Sequence, residues 1–167
     1  MMRSDWLEPG AGAMKSARGA KSAERDGYFV STRSRIEKLG VKPGTEVLVL
    51  GVEGDCQFMD ELRERGALVR MGGNKPMDMI FAVFRHRNDL RRLPSLVPRL
   101  KADGVLWTLR PKGSKDLTES EMMRAGQDAG LVDVKVVSFS EVLTAEKFVI
   151  PVAQRAAHRP NGRAAKR

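Results

Sequence analysis

The amino-acid sequence predicts a single α/β domain whose sheet is mostly parallel and closes in an antiparallel hairpin. Three observations lead there. Short β-branched or apolar runs recur at residues 46–50, 67–70, 78–84 and 104–109, and such continuous runs suit strands buried on both faces of a parallel sheet. Segments with apolar residues at helical spacing stand between them, around Phe58, Met59 and Leu62 and again around Leu90, Leu93, Leu96, Val97 and Leu100. Two further runs, residues 132–136 and 147–150, follow one another with no helix between them, the pattern of a terminal hairpin.

Taken in order, residues 1–27 mix glycine, alanine, serine and charge without an apolar period. Such a stretch cannot offset the entropy of ordering, so a flexible leader is expected, with Met14 a second candidate start. Ile36 and Leu39 ahead of Gly40 predict a short helix closed by a glycine. Pro43 and Gly44 turn the chain into the first strand, residues 51–55 make a loop, and the next helix stops at Gly66. Pro94 and Pro98 forbid one continuous helix before the fourth strand. Thr118 and Glu121 match a capping box, and Leu117 with Met122 stand where a hydrophobic staple sits. Met122, Ala125, Gly126 and Ala129 then form the inner face of a helix that Gly130 closes. Val132, Val134 and Val136 alternate with Asp133 and Lys135, which predicts a half-buried strand paired with residues 147–150. The folded domain is expected over residues 28–153, with a basic, disordered tail over 154–167.

Bulk properties narrow the classes. A chain of 167 residues that is 41% hydrophobic suffices for one core without covalent staples. The single cysteine, Cys56, excludes an internal disulfide and suits a reducing compartment, so a cytoplasmic location is expected. No signal-peptide apolar region is present, and the longest apolar runs fall far below the ~20 residues of a membrane-spanning helix. Of the net charge of +9, residues 154–167 carry +5 and residues 1–27 carry +1, leaving +3 for the middle. The tail reads either as a solvated end or as a contact for nucleic acid or an acidic partner.

Residues 42–44 with the strand and loop at 47–51, the segment 77–81, the segment 100–107 and the closing hairpin resemble class I S-adenosylmethionine-dependent methyltransferases across residues 36–150. Residues 107–113, 116–119, 130–136 and 147–149 are similar to a bacterial family of methyltransferase-like domains of unknown function. The resemblance implies a Rossmann-like fold. It also implies a cofactor pattern: an acid two residues before the first loop glycine, and glycines two and four residues after it. Here those positions hold Val49, Glu53 and Asp55, so Gly51 alone fits, with Gly54 outside the register. The carboxylate that accepts the ribose hydroxyls at the end of the second strand is replaced by Arg70 and Met71. Asp78 matches an acidic position before the next strand, so Gly51, Gly54 and Asp78 are the cofactor-binding candidates. Residues 71–77 are too few for a helical crossover. The fold is therefore expected to lack a strand and two helices that wall the adenosine pocket, and no bound cofactor is expected, S-adenosylmethionine being the alternative.

In open α/β sheets ligands settle beyond the carboxyl ends of the strands. That edge should carry residues 51–55, 72–74, 85–87 and 110–115, which makes Arg85, Arg87, Arg110, Lys112 and Lys115 candidates for an anion site taking a phosphate or a nucleic-acid backbone. The alternative is that they keep loops hydrated, and Glu53 with Asp55 would repel an anion at the glycine loop. Cys56, in the first turn of a helix, could pair with His86 as thiol and base, or be a small buried hydrophobe. His86 has no companion ligands for a metal. Trp107 reads as core, and Tyr28 with 5% aromatic content leaves little for stacking on single strands. The sequence therefore points to a non-catalytic methyltransferase-like domain that binds an anionic ligand or a partner. A divergent S-adenosylmethionine-dependent methyltransferase and a nucleic-acid-associated protein are the alternatives.

Overall fold

The structure, a computed structural model, describes residues 34–160. The leader, Met14, Tyr28 and the tail beyond residue 160 lie outside the described residues. Among the described residues the elements run α1 (Arg35–Leu39), β1 (Glu46–Leu50), α2 (Cys56–Arg65), β2 (Leu68–Arg70), β3 (Met77–Val83), α3 (Leu93–Leu96), β4 (Leu100–Pro111), α4 (Glu119–Asp128), β5 (Val132–Ser138) and β6 (Leu143–Val149). Short 3-10 segments at Arg87–Arg92 and Val97–Arg99 flank α3, where Pro94 and Pro98 prevent a longer helix.

The strand order is β2-β1-β3-β4-β6-β5. The first four strands are parallel, and β6 runs antiparallel to both β4 and β5. Alternation along the strands splits the core into two layers. Val47, Val49, Phe81 and Trp107 face α1 and α2, while Leu48, Ile80, Leu106 and Phe148 face α3 and α4. Trp107 is fully buried and donates from Nε1 to the Leu39 carbonyl at 3.1 Å, tying α1 to the sheet. The capping box forms as the sequence predicts, with Thr118 Oγ1 accepting from Glu121 N at 3.2 Å and Glu121 Oε1 from Thr118 N at 3.0 Å.

The link between β2 and β3 is residues 71–76, and β2 is the edge strand among the described residues. Six residues suffice because β2 stops early. Arg70 lies beside Leu48, two residues short of the end of β1. Without a crossover helix, Leu68 and Met71 are both 56% exposed.

Three expectations need correction. β4 starts at Leu100 and β6 at Leu143, so the fourth strand and the terminal hairpin are both longer than the apolar runs suggested. Val132, Val134 and Val136 are exposed rather than half-buried, because among the described residues β5 is an edge strand, with a bulge between Asp133 and Lys135. The disordered tail does not begin at residue 154: Val152–Ala157 form a 3-10 turn. Arg155 Nε donates to the Ile150 carbonyl at 3.0 Å, and His158 Nε2 lies 2.7 Å from the Leu100 carbonyl. No helix among the described residues is long and apolar enough to cross a membrane.

Helix α4 approaches the sheet at Gly126, where an added Cβ would fall 2.2 Å from Phe148 Cε1. Gly126→Ala should therefore destabilise by about 1–3 kcal/mol through overpacking, against the modest gain that alanine brings to an ordinary helix interior. Urea denaturation of the two proteins measures the difference.

Candidate functional site

The chain leaves β1 for β2 on one side and reaches β3 on the other, so the carboxyl ends of β1 and β3 form the switch point where ligands bind in such sheets. Gly51 follows β1 there with φ +99°, and a Cβ on it would stand 2.9 Å from Val83 Cβ. Side-chain packing between two strand ends thus accounts for this glycine. Its amide is engaged too, donating to Glu53 Oε1 at 3.0 Å. Asp55 caps α2, accepting from Phe58 N at 3.0 Å. Gly54 is exposed with open space around it.

Across the switch point the same arrangement recurs. The amides of Arg85 and His86 donate to Asp89 Oδ2 at 2.8 and 3.1 Å, and these two bonds hold the Asp89 carboxyl below the usual aspartate range. His86 Nδ1 lies 3.3 Å from Asp116 Oδ2, and Arg87 Nε donates to Glu121 Oε2 at 2.5 Å. These contacts clip the loop after β3 to the start of α4. The Thr118 amide, then Arg87, lower the Glu121 carboxyl. Cys56 is exposed at the start of α2, and no hydrogen bond joins it to His86. Among the described residues no three His, Cys, Asp or Glu side chains converge to hold a metal ion.

The five anion-binding candidates separate. Arg110 is a correction: it is buried at 6% exposure, and its Nε and Nη2 both donate to Glu146 Oε2, at 3.0 and 2.8 Å. Its position on β4, level with Leu106 and Thr108 on the α4 face, turns it inward. Arg87 is engaged by Glu121, and Lys112 Nζ donates to Ser138 Oγ at 2.8 Å. Arg85 and Lys115 remain exposed, with no side-chain partner among the described residues.

Asp78 is the second correction. It sits at the amino end of β3, level with Glu46, whereas Gly51 lies at the other end of β1. Its Oδ2 accepts from Glu46 N at 2.9 Å and its Oδ1 pairs with Lys101 Nζ at 3.1 Å. Glu46 completes the cluster, pairing with Lys75 at 2.6 Å and Lys101 at 2.9 Å. Asp78 therefore staples the floor of the sheet and does not face a cofactor site.

Sequence reasoning missed Glu146. It is fully buried on β6 opposite Thr108, whose Oγ1 lies 3.2 Å from its Oε1. Burial pushes its carboxyl above the usual glutamate range, against the pull of Arg110. Its place two residues before the inward Phe148 was the available signal, since residues two apart in a strand share a face.

No family model matches the chain, and no curated protein matches it. Among solved structures, a SAM-dependent methyltransferase from Aquifex aeolicus is 19% identical, covering 69% of this chain and 87% of its own, with a TM-score of 0.53. A TehB-like SAM-dependent methyltransferase from Corynebacterium glutamicum is 13% identical, covering 70% and 86%, with a TM-score of 0.52. The shared feature is the fold, which is that of the Rossmann-like methyltransferases. At the switch point the residues differ from the cofactor pattern that the methyltransferase resemblance implies. Arg70 and Met71 offer no carboxylate to a ribose, and they stop below the level of Gly51. The Gly51 amide already has an acceptor within its own loop.

Two outcomes follow for the charged clusters. Glu46, lowered to about 2 by Lys75 and then Lys101, contributes stability that is present above the ordinary carboxylate range and lost as pH falls from about 4.5 towards 2. Glu46→Gln should flatten that part of the stability profile, read by thermal melts across pH. Glu146→Ala leaves Arg110 buried without a counter-charge and should cost about 3–5 kcal/mol in chemical denaturation.

Proposed function

We propose that this domain uses the methyltransferase-like scaffold as a non-catalytic binding module and holds no S-adenosylmethionine at its switch point. One observation carries the reading: the backbone amides of this edge are satisfied by the chain's own carboxylates, Glu53 on Gly51 and Asp89 on Arg85 and His86. A nucleotide ligand would have to displace them, and each displaced carboxylate would remain nearby to repel a phosphate. Arg85 and Lys115 are the exposed cations left to meet an anionic ligand or an acidic partner.

A divergent S-adenosylmethionine-dependent methyltransferase is the second reading, favoured by the fold itself. It requires Glu53 to swing off the Gly51 amide. Calorimetric titration with S-adenosylmethionine and with S-adenosylhomocysteine should give no binding at micromolar concentration, for the native protein and for Glu53→Ala alike. Micromolar binding by the native protein overturns the module reading. Binding that appears only in Glu53→Ala identifies the carboxylate as the obstacle within an otherwise competent site.

A further inference from the structure

The cations expected at the carboxyl edge are largely engaged, but a pair on the antiparallel side of the sheet is not. Lys135 on β5 lies directly opposite Lys147 on β6, so both side chains leave the same face with Cβ atoms about 4.5–5.5 Å apart. Lys135 is exposed and Lys147 half-buried, and neither has an ion-pair partner among the described residues. Like charges directly opposite in a sheet are destabilising, and this juxtaposition is built into rigid backbone rather than into a mobile loop.

The bulge explains why no acid relieves it. On the Ser138 side, Val136 pairs with Glu146 and Lys135 with Lys147 in regular register; on the other side, Asp133 pairs with Phe148 and Val132 with Val149. One extra residue, Val134, lies between. In an unbulged strand Asp133, two residues from Lys135, would stand opposite Val149, on the lysine face and diagonal to Lys147. The inserted residue sends Asp133 to the opposite face with Phe148 and puts Val132 beside the lysines instead. Bulges re-aim side chains in this way, and they recur next to functional sites.

The flanking surface is apolar, formed by exposed Val132 and half-buried Val149 and Val105. Burial, followed by the neighbouring Lys135 charge, holds the Lys147 ammonium below the usual lysine range. An oxyanion bridging the two ammonium groups would remove the repulsion and use donors that are otherwise unpaired, as lysines do at phosphate sites.

We propose that the Lys135–Lys147 pair, cleared of its acidic neighbour by the bulge at Val134, is a binding site for a phosphate group, separate from the switch point. The full chain is titrated with orthophosphate and with a nucleoside 5′-monophosphate at constant ionic strength set by chloride. Binding is followed by backbone amide shifts and by melting temperature. Residues 132–136 and 145–149 should shift with saturation, and phosphate should raise the melting temperature beyond chloride. Both effects should disappear in Lys135→Met and in Lys147→Met. Without phosphate, Lys135→Met should melt higher than the native protein, since the repulsion is gone. A tighter titration with the nucleotide than with orthophosphate would place the phosphate on a nucleotide; equal affinity would mark free phosphate as sufficient. Shifts confined to the loops around Arg85 and Lys115, or saturation unchanged in both lysine variants, overturn the proposal.

Discussion

Six residues between β2 and β3 limit what the rest of this sheet can be. A chain that must return from one side of β1 to the other in that length can stretch only ~20 Å, so β2 has to stop beside Leu48 rather than run on to the level of Gly51. No helix fits in the link. Among the described residues the sheet therefore ends at a three-residue strand, and Leu68 and Met71 stay exposed where a longer crossover would lie. Among the described residues the glycine loop is left with a neighbour on the β3 side and none of matching height on the β2 side.

An edge built this way has backbone donors that need acceptors. In a ligand-binding relative of the fold a nucleotide can meet such donors; here short-range carboxylates do. Glu53 lies two residues from Gly51, and Asp89 three and four residues from His86 and Arg85. These are local contacts that close as soon as the loops form, so they require no ligand to order them. The two faces of the sheet meanwhile pack through residues remote from that edge. Leu48, Ile80 and Phe148 on one side and Val47, Phe81 and Trp107 on the other are buried whatever the loops hold. That separation lets the fold stand independently of what its switch point holds.

How much was legible in the sequence follows from the range of the interactions. Features set by near neighbours could be read directly: the Thr118 and Glu121 box, the break at Pro94 and Pro98, and the order of strands and helices. The short link could be counted, and with it the missing wall. Features set by pairing across the sheet could not. Asp78 looked like a cofactor acid because nothing in the chain shows that it hydrogen-bonds the start of β1. Arg110 looked like a loop cation because β4 extends two residues beyond the apolar run, and the residue that buries it, Glu146, is 36 positions away. Arg155 and His158 read as tail because their acceptors are backbone carbonyls of Ile150 and Leu100, which have no sequence signature.

The valines of β5 show why periodicity needs register. A strict alternation of Val132, Asp133, Val134, Lys135 and Val136 describes an amphipathic strand only when every residue advances the pairing by one. The bulge at Val134 breaks the count, so Val132 and Val136 fall on opposite faces, as do Asp133 and Lys135. Edge strands gain from such a break, because a twisted, bulged rim with charged side chains is a poor template for another strand. The same break separates the strand's one acid from its lysine. A sequence that alternates perfectly can thus yield a face with two cations and no carboxylate, which no reading of period alone would reveal.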